Sequence, residues 1–304
     1  MSRFFVLLLA TNAFAQITPD FEQWLDANGY AAYDFERMDL TGGSYGGRTS
    51  AGQTVVNQPV IFIHGNSDRA MAGGGGYSTG WTDSVDYFIA QGYTSAELYA
   101  TTWGPSDEDL ATSQYHSKDY VTTTRAFIQA VLDYTGVNKV DIVAHSMGVT
   151  LGRKAVKGGW ASDLANGGSY YVGSSLTTEV DTFVGISGAN HGLVTCYLTG
   201  PTTPTCGSTN GFYPGYLWYG FGPYGVSAFL TDLNSSSGYE GSYVFSMWSS
   251  DDGLIGYNNL VYGKRTSRIP SQDGERVLSN YNHFESKDLT AYYQWRMVKY
   301  HATN

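Results

Sequence analysis

Apolar residues along this chain fall into short blocks, separated by polar stretches that are bounded by glycine. Residues 59–63 (Pro-Val-Ile-Phe-Ile) are one continuous apolar run, the pattern of a strand buried on both faces. Residues 81–91 place Val85, Phe88 and Ile89 at helical intervals, and Gly92 follows as a stop. Residues 96–100 read as a second strand. Residues 121–135 set Phe127, Ile128, Val131 and Leu132 on one helical face that ends at Gly136. A third strand is predicted at 140–144, leading into a helix that continues through Lys154. Two more strands follow at 182–186 and 243–248, and residues 289–300 predict a closing amphipathic helix. Strands alternating with helices through short connections predict an α/β fold on a mostly parallel sheet.

One stretch breaks the alternation. Residues 193–240 are rich in Gly and Pro and carry Phe212, Tyr213, Tyr216, Trp218, Tyr219, Phe221 and Tyr224 within a short span. A loop this long in a compact domain is commonly functional. A satellite core packed against the sheet is the alternative, and the sequence leaves both open.

Composition narrows the class. Hydrophobic residues make up 42% and charged residues 14%, which excludes a disordered, self-repelling chain. Seventeen basic against 27 acidic residues give a net charge of −10, the wrong sign for a nucleic-acid binder. Two cysteines are too few for a disulfide scaffold or a four-cysteine zinc site, and no H-E-x-x-H run occurs, so no cofactor or metal is expected.

The start, MSRFFVLLLATNAFAQ, has a positive Arg3, an apolar stretch and an Ala13-Phe14-Ala15 cleavage pattern. It reads as a signal peptide at 1–15, followed by a single domain at 16–304. A buried N-terminal element is the alternative. The apolar run is far shorter than the ~20 residues of a membrane-spanning helix, so a secreted chain without a transmembrane segment is expected. In an oxidising compartment Cys196 and Cys206 are expected to pair, with two separate buried thiols as the alternative. Asn234-Ser235-Ser236 is a glycosylation sequon, a weak pattern.

The third strand runs into Ala144-His145-Ser146-Met147-Gly148 and then at once into a helix. This matches the nucleophile elbow G-x-S-x-G with Ala in the first glycine position. Small residues two before and two after the serine let strand and helix cross closely, and the sharp turn presents Oγ to a general base. An elbow needs an oxyanion hole. One donor is expected from the Met147 amide and the other from Asn66, in the His64-Gly65-Asn66-Ser67 turn after the first strand.

In this fold the acid and then the histidine follow the serine along the chain. Only His191, His283 and His301 come after Ser146. His301 sits at the frayed C-terminus, and no acidic strand end separates His191 from Ser146. His283 remains, in a loop just before the last helix. The strand at 243–248 ends in Ser249-Ser250-Asp251-Asp252-Gly253, where a carboxylate faces the ligand crevice of a parallel sheet. Asp252 is preferred over its neighbour Asp251.

The stretches GGSYGGR (42–48), QPVIFIHGNSD (58–68), VDIVAHSMGVTLGRKAVKGG (140–159), GISGANHG (185–192), SSDDGLIGYN (249–258) and NYNHFES (280–286) resemble the class 2 lipases. The likeness is strongest to the secreted nematode type, and more distant to the small bacterial lipases. The resemblance implies an α/β-hydrolase fold with a triad of Ser146, Asp252 and His283 and an oxyanion hole from the Asn66 and Met147 amides. It implies a serine carboxylic ester hydrolase without a cofactor, with triacylglycerol as first choice of substrate. Trp218, Tyr219 and Phe221 are then expected to contact substrate. A polyester depolymerase or short-chain esterase is the alternative on the same fold, and a lipid-binding protein without turnover the alternative of another class.

Overall fold

The computed structural model describes residues 16–73 and 75–304, so the expected signal peptide at 1–15 lies outside the described residues. Among the described residues, seven strands form the main sheet: β1 Ser44–Tyr45, β2 Val60–Ile63, β3 Leu98–Thr101, β4 Val140–His145, β5 Val180–Ile186, β6 Tyr243–Ser249 and β7 Gly274–Leu278. They lie in the order β1-β3-β2-β4-β5-β6-β7. Every pairing is parallel except that of β1 with β3. The sheet is mostly parallel, as the alternation predicts, and fits the α/β-hydrolase fold that the resemblance implies.

Period-two alternation divides the strands between two cores. Ile61 and Ile63 of β2 face a layer built on Phe21, Phe127, Ile128, Val131, Val149 and Leu151. Val60 and Phe62 face the opposite layer with Val85, Phe88, Met297 and Val298. The first layer is carried by helices α1 (Pro19–Ala27), α3 (Lys118–Thr135) and α4 (Met147–Lys157). The second is carried by α2 (Thr82–Ala90) and by α8 (Ala291–Tyr300), the closing helix. α3 begins where the Ser117 side chain accepts the Tyr120 N–H and stops at a left-handed Gly136.

Two elements escape the hydrophobic pattern for local reasons. α1 starts on a Thr18 cap with Pro19 in its first position, and only Phe21 and Leu25 are fully buried. β7 is an edge strand whose Glu275 and Arg276 stay partly exposed, so no apolar run marks it. The predicted helix at 289–300 begins at Ala291, behind a four-residue helix α7 (Glu285–Asp288).

Residues 193–240 are partly core and partly exposed. They fold into α5 (Val194–Thr199), a hairpin of Tyr216–Trp218 and Phe221–Tyr224, and α6 (Ala228–Leu233). Phe212, Phe229, Leu230 and Leu233 are buried in the first core layer, while Tyr216, Trp218, Tyr219, Phe221 and Tyr224 face solvent. Cys196 and Cys206 form a disulfide across ten residues of this segment. The Asn234 side chain bonds inward, donating to Asn190 O at 2.7 Å and accepting from the buried Arg153 at 3.2 Å.

Candidate active site

The parallel register brings the C-terminal ends of β2, β4 and β6 to one edge of the sheet, where chain segments must turn sharply back. At the end of β4 the turn is one residue long. Ser146 adopts φ 54° and ψ −125°, a conformation costly for any residue with a Cβ, and α4 begins at Met147. The Ser146 amide is tied to Ile186 O at 2.8 Å. A Cβ added to Gly148 would lie 2.3 Å from His64 O and 2.5 Å from Ile63 O, so only glycine lets α4 cross β2 here. Gly65 is equally confined, since a Cβ there would lie 2.9 Å from Ser146 Cβ.

The loop after β2 carries the predicted Asn66 amide. Neither Asn66 N–H nor Met147 N–H is used by a backbone acceptor among the described residues. Asn66 is held through its side chain, which donates to Ala111 O at 2.8 Å and accepts from Ser67 Oγ at 3.0 Å. The turn ahead of it is braced by His64. Its Nδ1 bonds Gly65 O at 2.7 Å and its Nε2 accepts the Trp103 N–H at 3.1 Å, while its ring stacks on Trp103. A carbonyl only accepts, so the proton sits on Nδ1. Burial holds the His64 pKa down to about 4 against the pull of Asp68, which keeps the ring neutral.

Past β6, Asp252 is fully buried, and its Oδ2 lies 2.8 Å from His283 Nδ1. Its Oδ1 accepts the Leu254 and Ile255 N–H groups at 3.1 and 3.0 Å. Burial pushes this carboxyl up, but the His283 bond, the His283 charge and the Ile255 amide outweigh it and hold the pKa below the ordinary value. Asp251, by contrast, is exposed and accepts the Asn280 N–H at 2.8 Å. His283 Nε2 is buried without a hydrogen-bond partner among the described residues. Ser146, Asn66, His145 and His283 line one cavity of about 370 Å³.

Sequence reasoning missed three supports of this arrangement. His145 bonds the His283 carbonyl through Nε2 at 3.1 Å, and its pKa is held well below the ordinary value by burial and by the nearby His283 and Lys287. Asp68, two residues past Asn66, pairs with Lys287, four residues past His283, at 2.7 Å in the interior. Tyr77 stacks on Phe284 with ring centroids 5.0 Å apart. A hydrophobic pattern gives no signal for any of them, because each is a polar or aromatic contact between distant loops.

Trp218, Tyr219 and Phe221 are not brought to the cavity. The hairpin that carries them is 64, 86 and 71% exposed at these residues, and none lines the space around Ser146. The core positions of the same insertion are taken by Phe212, Phe229 and Leu230 instead. The same insertion reaches the cavity through α5 instead, with Leu193, Thr195, Cys196 and Thr199 in the wall and Cys206 beside them. Among the described residues no group of three or more His, Cys, Asp or Glu side chains is placed to hold a metal ion. A strained serine, an imidazole backed by a carboxylate and two free amides are the parts needed for nucleophilic acyl transfer.

The chain matches the class 2 lipase family over residues 57–296. Its fold is similar to that of lipase B from Aspergillus fumigatus, with a TM-score of 0.52 at 14% identity over 83% of this chain and 54% of the other. It is similar to the same degree, with a TM-score of 0.52 at 13% identity, to a Bacillus licheniformis lipase in its propeptide form, over 86% of this chain and 54% of that one. The match thus spans about half the length of each of these enzymes, and at such identity the likeness is one of fold. The family match takes in β2, the Ser146 turn, the Asp252 loop and the His283 loop, and on it the chain belongs to the class 2 lipases.

Proposed function

We propose that this chain is a serine hydrolase of carboxylic esters, with triacylglycerol as its substrate and Ser146, His283 and Asp252 as its triad. The observation that carries the reading is the buried Asp252–His283 bond of 2.8 Å, with His283 Nε2 left free in the cavity that holds Ser146. Ser146 Oγ attacks the ester carbonyl carbon as His283 Nε2 takes its proton, and Asp252 stabilises the imidazolium through Nδ1. The Asn66 and Met147 amides receive the negative charge that forms on the carbonyl oxygen. The carbon–oxygen bond to the alcohol then breaks, and His283 returns the proton to the leaving alcohol. Water cleaves the acyl-enzyme by the same route, releasing the fatty acid and free Ser146.

Of an apolar chain or an oil surface as the partner of Trp218, Tyr219 and Phe221, their exposure away from the cavity favours the surface. They make the chain's contact with the lipid surface. Residues 182–231 contain no Asp, Glu, Lys or Arg, in a chain with a net charge of −10. An exposed aromatic patch without charge suits an uncharged lipid–water boundary. Export through the leader at 1–15 accords with the disulfide, and no helix among the described residues is long and apolar enough to cross a membrane.

The test is hydrolysis of an ester series from short to long acyl chains, with Ser146→Ala as the blank. The reading requires release of fatty acid across the series and a loss of at least ~10⁴-fold in the variant. Undiminished hydrolysis by Ser146→Ala would discard the triad. Binding of lipid by the wild type without hydrolysis would favour a carrier.

A further inference from the structure

At the wall of the cavity, which Asp68 helps to line, lies a buried ion pair that the reaction scheme leaves without a task. Asp68 Oδ2 and Lys287 Nζ are 2.7 Å apart, with side chains 1% and 0% exposed. Lys287 Nζ also donates to Thr79 Oγ1 at 2.9 Å and to Gly80 O at 2.5 Å, lies 3.2 Å from Asp288 Oδ1, and stands over the Trp81 ring. Asp68 Oδ1 accepts the Arg69 and Gly80 N–H groups at 2.8 and 2.9 Å. Every polar atom of the pair is thus engaged. A pair this deep seldom stabilises a fold more than well-packed apolar residues of the same volume would, because desolvation offsets the attraction. Its value must lie in what it joins.

It joins segments 219 residues apart in the chain. One carries the Asn66 amide and the other carries His283, and the stacked Tyr77 and Phe284 rings fasten the same two segments at the cavity wall. We propose that Asp68 and Lys287 are a positioning pair, fixing the separation of the Asn66 loop from His283 and so governing turnover rather than substrate affinity. The inference rests on the catalytic reading of Ser146 and His283 given above.

Charge enters as well as geometry. The groups around His283 are Asp252 and the exposed Asp251 after β6, His145 at the end of β4, His64 and Asp68 after β2, and Glu285, Lys287 and Asp288 on its own segment. The pair's charges are felt here: Lys287 lowers the pKa of both His145 and His64, and Asp68 raises that of His64. Removing Asp68 leaves Lys287 only its longer contact with Asp288, at 3.2 Å, and removing Lys287 leaves both carboxylates without their cation. Asp68→Asn leaves the cation, which disfavours the imidazolium. Lys287→Met leaves the carboxylate, which favours it until Asp68 or Asp288 takes up a proton instead.

The experiment is steady-state hydrolysis of a soluble short-chain ester across pH by the full chain, for the wild type, Asp68→Asn and Lys287→Met, with Ser146→Ala as the blank. The expected result is a kcat lowered by roughly 10²-fold, the order that a misplacement of about 1 Å produces, with KM within about twofold. The acid limb of kcat/KM is expected to move by roughly half a pH unit, downward in Asp68→Asn and upward in Lys287→Met. A merely structural pair would lower Tm and leave kcat, KM and the limb of the folded fraction where they were, and that result overturns the proposal. Asp68→Asn keeps the shape and the one oxygen that accepts the Arg69 and Gly80 amides, so it carries the test alone if Lys287→Met does not fold. An inert Ser146→Ala beside unmoved pair variants would sink this inference only, whereas an active Ser146→Ala would sink the catalytic reading beneath it.

Discussion

The cavity has two walls made of different materials. On one side, charged and polar contacts hold the segments that carry Asn66 and His283: His64 to Gly65 within the turn after β2, Asp68 to Lys287 between the two segments, and His145 and Asp252 to His283 from the ends of β4 and β6. On the other, residues 193–206 reach the cavity from a stretch with no charged residue, held by the Cys196–Cys206 bond and by apolar packing. Directional contacts in a dry interior fix atoms to within fractions of an ångström, which a reaction centre needs. Apolar contacts are non-directional, and they suit a surface that must meet a substrate of variable shape. The two walls therefore should fail in different ways when altered.

The pinned wall should show the larger effects. Asp252→Asn preserves the shape of the site but removes the charge that stabilises the imidazolium, and kcat is expected to fall by about 10⁴-fold on any ester, soluble or emulsified. Gly148→Ala should follow, at roughly 10² in kcat with about 1–3 kcal/mol of stability lost, because the new Cβ meets the His64 carbonyl and displaces the Met147 amide. Gly220→Ala in the hairpin is the control, since its Cβ would meet nothing within 4 Å and the cost is confined to its positive φ of 83°. Stopped assays on one soluble ester, with thermal melts of the three variants, separate these cases. Equal losses in Gly148→Ala and Gly220→Ala would erase the distinction between the pinned wall and the hairpin outside the cavity.

How much of each wall the sequence reveals follows from the same difference. Ser146 stands out because a buried strand, a small-residue turn and a helix are all local features. His283 emerges by elimination, as the chain holds few histidines past the serine. Asp252 differs from Asp251 only in which carboxylate turns inward, and that depends on the geometry of the turn after β6, where Ile255 N–H meets Oδ1. Asp68 and Lys287 are illegible, because their meaning lies in a contact across 219 residues. The aromatic cluster of the insertion is plain in the sequence, but its division into buried Phe212 and Phe229 and exposed Trp218 and Phe221 is not. Both sets are aromatic, and nothing in the sequence marks which rings join Leu230 and Leu233 in the core and which stay exposed in the hairpin.

The exposed set supplies the next test. Trp218→Ser with Phe221→Ser removes two rings that touch neither the cavity nor the core. Hydrolysis of a soluble short-chain ester is expected to stay at the wild-type rate. Hydrolysis of an emulsified long-chain ester should fall about tenfold, in step with weaker adsorption of the same double variant carrying Ser146→Ala to a neutral emulsion. The loss should not depend on salt, because no charge is involved. A parallel fall on both substrates would mean that the hairpin supports the reaction centre after all.

The last contrast is in stability rather than rate, and pH is the probe. Burial holds His64 and His191 down to about 4, His116 to about 3 and His145 well below the ordinary value. An unfolded chain protonates its histidines near ~6.5, so below that pH the unfolded state binds the extra protons and stability falls, levelling off only below the folded values. Asp141, which burial pushes up to about 7, acts in the opposite direction between its unfolded and folded values, as do Glu36 and Asp288, which burial also pushes up, but the four histidines outnumber these three carboxyls. Each uncancelled group contributes up to ~1.4 kcal/mol per pH unit, so Tm should drop by several degrees per unit between pH 6.5 and 4.5. His116 bonds Thr150 Oγ1 at 2.7 Å and Asn210 O at 2.8 Å, so it couples α4 to the insertion, and His116→Gln should make the slope shallower by one proton. The hairpin has no titrating group in this range. Adsorption of folded Ser146→Ala to a neutral emulsion should therefore stay flat across the pH span in which the fold weakens. A fall in adsorption that tracks the melting curve, at temperatures well below Tm, would show that the hairpin and the domain beneath it are one mechanical unit.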